Sequence, residues 1–389
     1  MDKKKITIFL LWFLVVLCFF TKGNIKANQD EFIKGAKSAI LIELNTGQVL
    51  YEKKSHEKLP PASMTKIMST LLVLEALDKG QIKMTDIVTI SEHAASYGGS
   101  QVYLEPGEQM SVEDLFKCMV IVSANDATVA LAEVVSGSEE MFVEQMNQKV
   151  KELGLQNTHF VDPTGLSDFK DGHYSTAYDM AMMARELLRK YEDITISFSS
   201  IYEDYIRKDT DNPFWLVNTN KLVKHFPGID GLKTGWTREA GYNLTATMRK
   251  DKMRLISVVM GEANTSQRNF ETVKLLKYGF SQYECVEYKE KNSPITEYEN
   301  MLFSPQKVKI VTKEPVILLT KKGVLPENYE ERYTFSISER GAKVGDEVGK
   351  LELIHNGQVV YTVPLTIDKD LSKASFFDIM GRLLKNIFY

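Results

Sequence analysis

The chain has 389 residues, with 48 Lys and Arg against 52 Asp and Glu, 43% hydrophobic residues and three cysteines. A net charge of −4 argues against nucleic acid as a partner, and three cysteines cannot build a disulfide framework. The length suggests two domains.

Lys3-Lys4-Lys5 precede an uncharged apolar run from Ile6 to Phe20, and Ile25-Lys26-Ala27 ends in a small residue suited to cleavage. This is the pattern of a secretory signal over residues 1–27. As a membrane anchor the run falls short of the roughly 20 residues a span needs, and Cys18 belongs to the run itself. Removing residues 1–27 takes away five lysines and one aspartate, leaving 43 basic against 51 acidic residues, a net charge of −8. Of the two cysteines left, Cys118 lies in an apolar helical stretch and reads as a buried small hydrophobe.

Ala39–Ile42, the turn Asn45-Thr46-Gly47 and Val49-Leu50-Tyr51 predict a β-hairpin. Pro60-Pro61-Ala62 then lead into Ser63-Met64-Thr65-Lys66 and the run Ile67–Leu77. That run is apolar all round, so it predicts a buried helix whose first turn carries Ser63, with Lys66 on the same face. Ser111 caps a helix with Glu113 and Asp114 in its first turn, and its apolar continuation delivers Ser123 at the end. Ser123-Ala124-Asn125 falls in a break before a second helix, Ala127–Val135. Further helices are expected near Glu139–Leu153, Ala177–Tyr191 and Ser266–Tyr278. Lys233 ends a short strand, and Tyr242–Arg249 with Arg254–Met260 form a hairpin around Lys250-Asp251-Lys252. The fold class expected for residues 28–285 is α/β, an antiparallel sheet with a helical lobe and the site between sheet edge and lobe.

After about Cys285 the pattern changes to short β runs, Val308–Val311, Val316–Leu319, Tyr333–Ile337, Leu351–Ile354 and Val359–Val363, with Asn356-Gly357 as a hairpin turn. A small all-β domain is expected over residues 286–370. At 100° per residue, Phe376, Phe377, Ile379, Met380, Leu383, Leu384, Ile387 and Phe388 share one half of a helix, opposite Asp378, Arg382, Lys385 and Asn386. Residues 371–389 therefore predict an amphipathic helix suited to lying on a membrane surface; the competing reading docks it on the β domain.

Three strings carry the chemistry: Ser63-Met64-Thr65-Lys66, Ser123-Ala124-Asn125 and Lys233-Thr234-Gly235. They supply a nucleophile with an amine one helical turn away, a hydroxyl with an amide two residues on, and a cation followed by a hydroxyl and a glycine. The first pattern recurs at Ser55, Ser167 and Ser304, so it means little alone, whereas Ser-x-Asn and Lys-Thr-Gly each occur once and in this order. A desolvated Lys66 near a second cation, Lys233, loses proton affinity and can act as general base toward Ser63.

The ordered triple is the signature of penicillin-binding proteins and class A β-lactamases. The chain is identified as resembling the low-molecular-weight penicillin-binding proteins, the serine D-alanyl-D-alanine carboxypeptidases of the S11 peptidase family. Asp162-Pro163-Thr164-Gly165-Leu166, His173-Tyr174-Ser175-Thr176-Ala177, Gly228–Gly235, Ala240-Gly241-Tyr242-Asn243-Leu244 and Arg254–Gly261 extend the likeness over residues 35–285. It implies removal of the terminal D-alanine from peptidoglycan stem pentapeptides through an acyl-enzyme on Ser63, with β-lactams as inhibitors and no cofactor or metal. Lys66 is then the base and Ser123 a proton relay. Asn125 orients Lys66 and the substrate, Lys233 and Thr234 bind the terminal carboxylate, and Gly235 permits close approach. The resemblance also implies backbone N–H groups of Ser63 and Trp236 as oxyanion hole and Arg268 as a carboxylate partner, and it places the enzyme outside the cytoplasmic membrane, at the wall. Ala124 stands where relatives often have glycine, and Trp236 where several have histidine, adding an apolar wall beside the scissile bond.

A serine β-lactamase is the alternative, but the chain lacks the Glu-x-x-Leu-Asn string that would activate its deacylating water. A non-catalytic wall-binding homologue would be free to lose a catalytic residue, and all are present. The histidines at 56, 93, 159, 173, 225 and 355 lack zinc-peptidase spacing, and no Gly-x-Ser-x-Gly occurs.

Overall fold

Strands Val49–Lys53, Ser38–Glu43, Met253–Glu262, Gly241–Lys250 and Ile229–Thr237 lie side by side in that order, each antiparallel to its neighbour. The structure, a computed structural model, describes residues 32–388 apart from Asp168, Asp209, 325–328 and Asn356. The predicted signal over 1–27, the Asn356 half of the expected turn and the side chains of 385–388 lie outside the described residues. The chain divides into a unit of residues 1–34, described only at 32–34, and a unit from Gly35 to Tyr389 that carries the sheets and the active site.

The hairpin expected near residue 45 and the one around Lys250-Asp251-Lys252 supply four of these five strands. The strand carrying Lys233 departs from expectation: Lys233 sits in the middle of a nine-residue strand, opposite Thr245, because pairing with Gly241–Lys250 continues to Thr237. It is the edge strand, so one of its backbone edges faces away from the sheet.

The helical lobe is built around helix Lys66–Asp78, buried from Lys66 to Ala76, as a sequence apolar on every side requires. A 3₁₀ turn, Ala62–Thr65, precedes it and carries Ser63. Ser111 caps helix Val112–Lys117 by accepting the Asp114 N–H at 3.1 Å. That helix widens into a π-helical turn, Cys118–Val122, which ends at Ser123 in the left-handed conformation (φ +67°) before helix Asn125–Ser136 begins. Cys118 is fully buried. The helix expected over Ala177–Tyr191 breaks at Tyr191 as expected, where the backbone is non-helical (φ −135°), and a second helical stretch follows to Ser199.

Beyond Gln282 the chain is β-rich. Tyr283–Lys289 pairs with Val316–Lys321, and a five-stranded antiparallel sheet has Lys307–Thr312, Gln358–Ile367 and Gly349–His355 at its centre. Its core includes Ile310, Val316, Leu351, Leu353, Leu365 and Ile367. Strands Tyr283–Lys289 and Pro294–Glu299, rich in charged residues, lacked the apolar alternation that would have announced them. Helix Phe376–Phe388 closes the described chain.

Candidate active site

The turn bearing Ser63 is held from two directions. Asn243 of the central sheet donates to the Pro60 and Pro61 carbonyls at 3.2 and 3.3 Å, while its own carbonyl accepts the Gly261 N–H at 2.7 Å. From the edge strand, Gly235 lies so near the turn that a Cβ there would stand 2.6 Å from the Pro61 carbonyl oxygen and 3.1 Å from the Met64 nitrogen. Only a residue without a side chain lets strand and turn meet.

Lys66 is completely buried and its ammonium has three partners: Asn125 Oδ1 at 2.6 Å, the Thr164 carbonyl at 2.8 Å and Ser63 Oγ at 3.3 Å. Burial lowers its pKa from the ordinary lysine value to about 7, against the opposing pull of Asp162 and Asp126. The amine is therefore poised between charge states near neutrality. Two of its partners are carbonyl oxygens that can only accept. A neutral amine spends its two N–H groups on them, and its lone pair is left facing Ser63 Oγ.

Asn125, two residues after Ser123 at the helix break, reaches Lys66. Among the described residues the buried Ser123 hydroxyl has no hydrogen-bond partner. Asn125 is fixed at both ends, its Nδ2 donating to the Gly98 carbonyl at 2.7 Å and its backbone N–H to Ser100 at 2.7 Å. Its side chain is thus set before any ligand arrives.

Lys233, also buried, reaches back to the Thr234 carbonyl at 3.1 Å. Its pKa is held well below the lysine range by burial, then by the charges of Lys66 and Arg268. Among the described residues no carboxylate lies within ion-pair distance of Lys66 or Lys233. The Thr234 hydroxyl donates to Thr219 Oγ1 at 2.8 Å. Arg268, on helix Thr265–Gln282, is almost wholly buried and donates from Nε and Nη2 to Asn269 Oδ1 at 3.1 and 2.8 Å. Burial brings its pKa down to about 10. Trp236, 58% exposed, packs against Tyr242 with ring centroids 5.9 Å apart and forms an outer wall.

The three strings, scattered over 173 positions from Ser63 to Gly235 in sequence, thus meet in one site, and Arg268 joins them electrostatically. Sequence reasoning gave no role to Asp162, Thr164, Thr219 or Asn243. Asp162-Pro163-Thr164-Gly165 enters the sequence reading as part of the family likeness, but a backbone carbonyl acting as a lysine's partner leaves no mark on side-chain identity.

The family described as D-alanyl-D-alanine carboxypeptidase matches residues 25–264, and the C-terminal domain of penicillin-binding protein 5 matches residues 270–373. The chain belongs to the D-alanyl-D-alanine carboxypeptidases. It is 50% identical over 357 residues to the D-alanyl-D-alanine carboxypeptidase DacF of Bacillus subtilis, covering 91% of this chain and 90% of that one. With DacC of Escherichia coli it shares 36% over 351 residues, 88% and 86% of the two chains. Among solved structures, penicillin binding protein 5 from Haemophilus influenzae superposes with a TM-score of 0.69 at 34% identity, over 87% of this chain and 98% of that one. The penicillin-binding protein D2 of Listeria monocytogenes in its ampicillin-bound form gives 0.56 at 30% identity, over 63% and 97%. This carboxypeptidase is accordingly a serine hydrolase with an α/β catalytic region, a helical lobe and a separate β-rich region.

Proposed function

We propose that Ser63 is the nucleophile of this carboxypeptidase and that neutral Lys66 is its base, acting on the terminal D-Ala-D-Ala of peptidoglycan stem peptides. The observation that carries this reading is the arrangement of carbonyl acceptors around Lys66, which leaves one direction for the lone pair, toward Ser63.

The Ser63 proton passes to Lys66 as Oγ attacks the carbonyl carbon of the penultimate D-alanine. The C–N bond then breaks, the proton moves from Lys66 by way of the Ser123 hydroxyl to the departing amine, and D-alanine leaves. The ester on Ser63 is cleaved by water, which restores the hydroxyl. Lys233, the Thr234 hydroxyl and Arg268 bind the terminal carboxylate. An arriving anion restores the proton affinity that burial takes from Lys233. Asn125 orients Lys66 and the peptide, and the backbone N–H groups of Ser63 and Trp236 receive the oxyanion. A β-lactam carrying a carboxylate beside a reactive amide engages the same groups and acylates Ser63.

The enzyme works outside the cytoplasmic membrane, exported by residues 1–27, with residues 28–285 as catalytic domain, 286–370 as spacer and 371–389 as membrane-associating helix. Among the described residues no helix is long and apolar enough to cross a membrane. Support for a surface-lying helix comes from its exposed apolar side, with Phe376 70%, Phe377 83% and Leu384 49% exposed, while Arg382 on the other side donates to the Met301 and Phe303 carbonyls at 2.8 and 2.6 Å.

Incubation with labelled penicillin and with diacetyl-Lys-D-Ala-D-Ala tests the chemistry. A stable label on Ser63 and release of D-alanine are expected. Rapid hydrolysis of the penicillin without D-alanine release would replace this reading with that of a β-lactamase.

A further inference from the structure

Residues 161–167 form an irregular loop with its own internal organiser. Asp162 is 4% exposed, and its Oδ1 accepts the Thr164 N–H at 2.6 Å, the Thr164 hydroxyl at 2.6 Å and the Gly165 N–H at 2.7 Å, while Oδ2 accepts the Ser167 N–H at 2.9 Å. A carboxylate holding successive peptide planes fixes where the carbonyls between them point. The carbonyls of Pro163 and Thr164 both land on helix Lys66–Asp78: Pro163 accepts the Ser69 hydroxyl at 2.6 Å, and Thr164 accepts Lys66 Nζ at 2.8 Å.

The loop is also pressed against the nucleophile's turn. Gly165 has φ +80°, and a Cβ there would lie 1.9 Å from the Ala62 carbonyl oxygen. His173, fully buried, accepts the Val161 N–H on Nδ1 at 3.2 Å, so its neutral ring donates from Nε2 to Thr65 Oγ1 at 2.8 Å. One end of the loop is thereby tied to Thr65, the residue before Lys66.

We propose that Asp162 is the positioning residue for the general base: its carboxylate locks the loop that presents the Thr164 carbonyl to Lys66, and its negative charge faces the Lys66 amine across that loop. This rests on the reading of Lys66 as base. The other titratable groups facing Lys66 are Asp126 from helix Asn125–Ser136, His173 from beyond the loop and Lys233 from the edge strand. Asp126 spends its oxygens on the N–H groups of Val102, Leu104 and Ala127. His173 Nδ1 accepts the Val161 N–H and lies 3.6 Å from Asp162 Oδ2, and burial lowers the proton affinity of its ring against the pull of Asp162.

The test is the second-order rate constant for acylation by labelled penicillin, measured from pH 5 to 9.5 on the chain without residues 1–27, for wild type, Asp162→Asn and Ser69→Ala. Asp162→Asn keeps an acceptor for the loop but removes the charge. The acid limb of its profile is expected about one pH unit below that of wild type, with a plateau about tenfold lower. Ser69→Ala loosens the same loop and keeps the charge, so its plateau falls several-fold while the limb stays in place. An Asp162→Asn limb at the wild-type position, or a Ser69→Ala plateau equal to wild type, overturns the proposal. If Asp162→Asn does not fold, the Ser69→Ala plateau still decides. A wild-type profile with no acid limb would instead remove Lys66 as the base, a separate failure.

Discussion

Lys66 Nζ and Asn125 Oδ1 lie 2.6 Å apart, although 59 positions separate the two residues in the chain. The contact joins the helix that follows the nucleophile to the helix break carrying Ser123. Asn125 is in turn braced by Gly98, so the lysine is aimed by a group that cannot itself rotate away. Replacing Asn125 with alanine leaves the neutral amine free to turn its lone pair from Ser63. Acylation by labelled penicillin is expected to fall roughly 10-fold, the scale of one hydrogen bond lost in a buried site. Acylation at the wild-type rate would show that the contact does not direct the amine.

The acylation rate of the wild type should rise with pH through a midpoint near 7. With Lys66 as the proposed base, the reactive form is the neutral amine; its pKa is lowered to about 7, and the neutral fraction grows as pH passes that value. Lys66→Arg, which stays charged throughout, should lose acylation by a factor of about 10³ or more at every pH.

Two glycines set the spacing around Ser63. Gly235→Ala places a Cβ 2.6 Å from the Pro61 carbonyl oxygen, and Gly165→Ala places one 1.9 Å from that of Ala62. Either change must push its strand or loop off the Ser63 turn. Each variant should show a melting temperature several degrees lower and acylation reduced at least tenfold. Thermal melts and penicillin labelling check both effects.

Stability should fall as pH rises from about 4.5 toward 8 because of Glu262. This side chain is 1% exposed, and burial, then a hydrogen bond with the neighbouring Glu271 and its charge, raise its pKa to about 8. Between its unfolded and folded values the native chain holds a proton that the unfolded chain has released. Each increase in pH in that window therefore favours unfolding, and the effect levels off above the folded value. Glu262→Gln should flatten this part of the melting-temperature profile. A variant profile parallel to that of wild type would remove Glu262 as its source.

The terminal helix should bind lipid through the side that faces away from the protein. The double variant Phe377→Asp, Leu384→Asp puts charge on that side, where the residues are 83% and 49% exposed and touch no catalytic group. Sedimentation with phosphatidylglycerol–phosphatidylethanolamine vesicles should be lost while penicillin labelling of Ser63 is kept. Retained vesicle binding would leave the helix as a structural end of the β-rich region.

Local pattern sufficed for much of this protein. The all-round apolar run after Ser63 could only be a buried helix, Ser111 with its acidic neighbours marked a helix start, and the hairpins followed from alternation and turn residues. Ordered short strings pointed to the family and to the proposed chemistry, because a hydroxyl and an amine one turn apart are local facts. Other features exist only when distant segments meet. The Lys233 strand is long because its neighbour pairs with it to Thr237, and the charge-rich strand Tyr283–Lys289 forms because Val316–Lys321 offers it a partner. The aim and proton affinity of Lys66 were likewise decided by tertiary structure. Its proton affinity is set by burial, and one of its partners is a backbone carbonyl 98 residues away, in a loop where Asp162 accepts the Thr164 N–H, contacts that no spacing in the sequence could show. Side-chain types name the reacting groups, but desolvation and direction are properties of the packed whole.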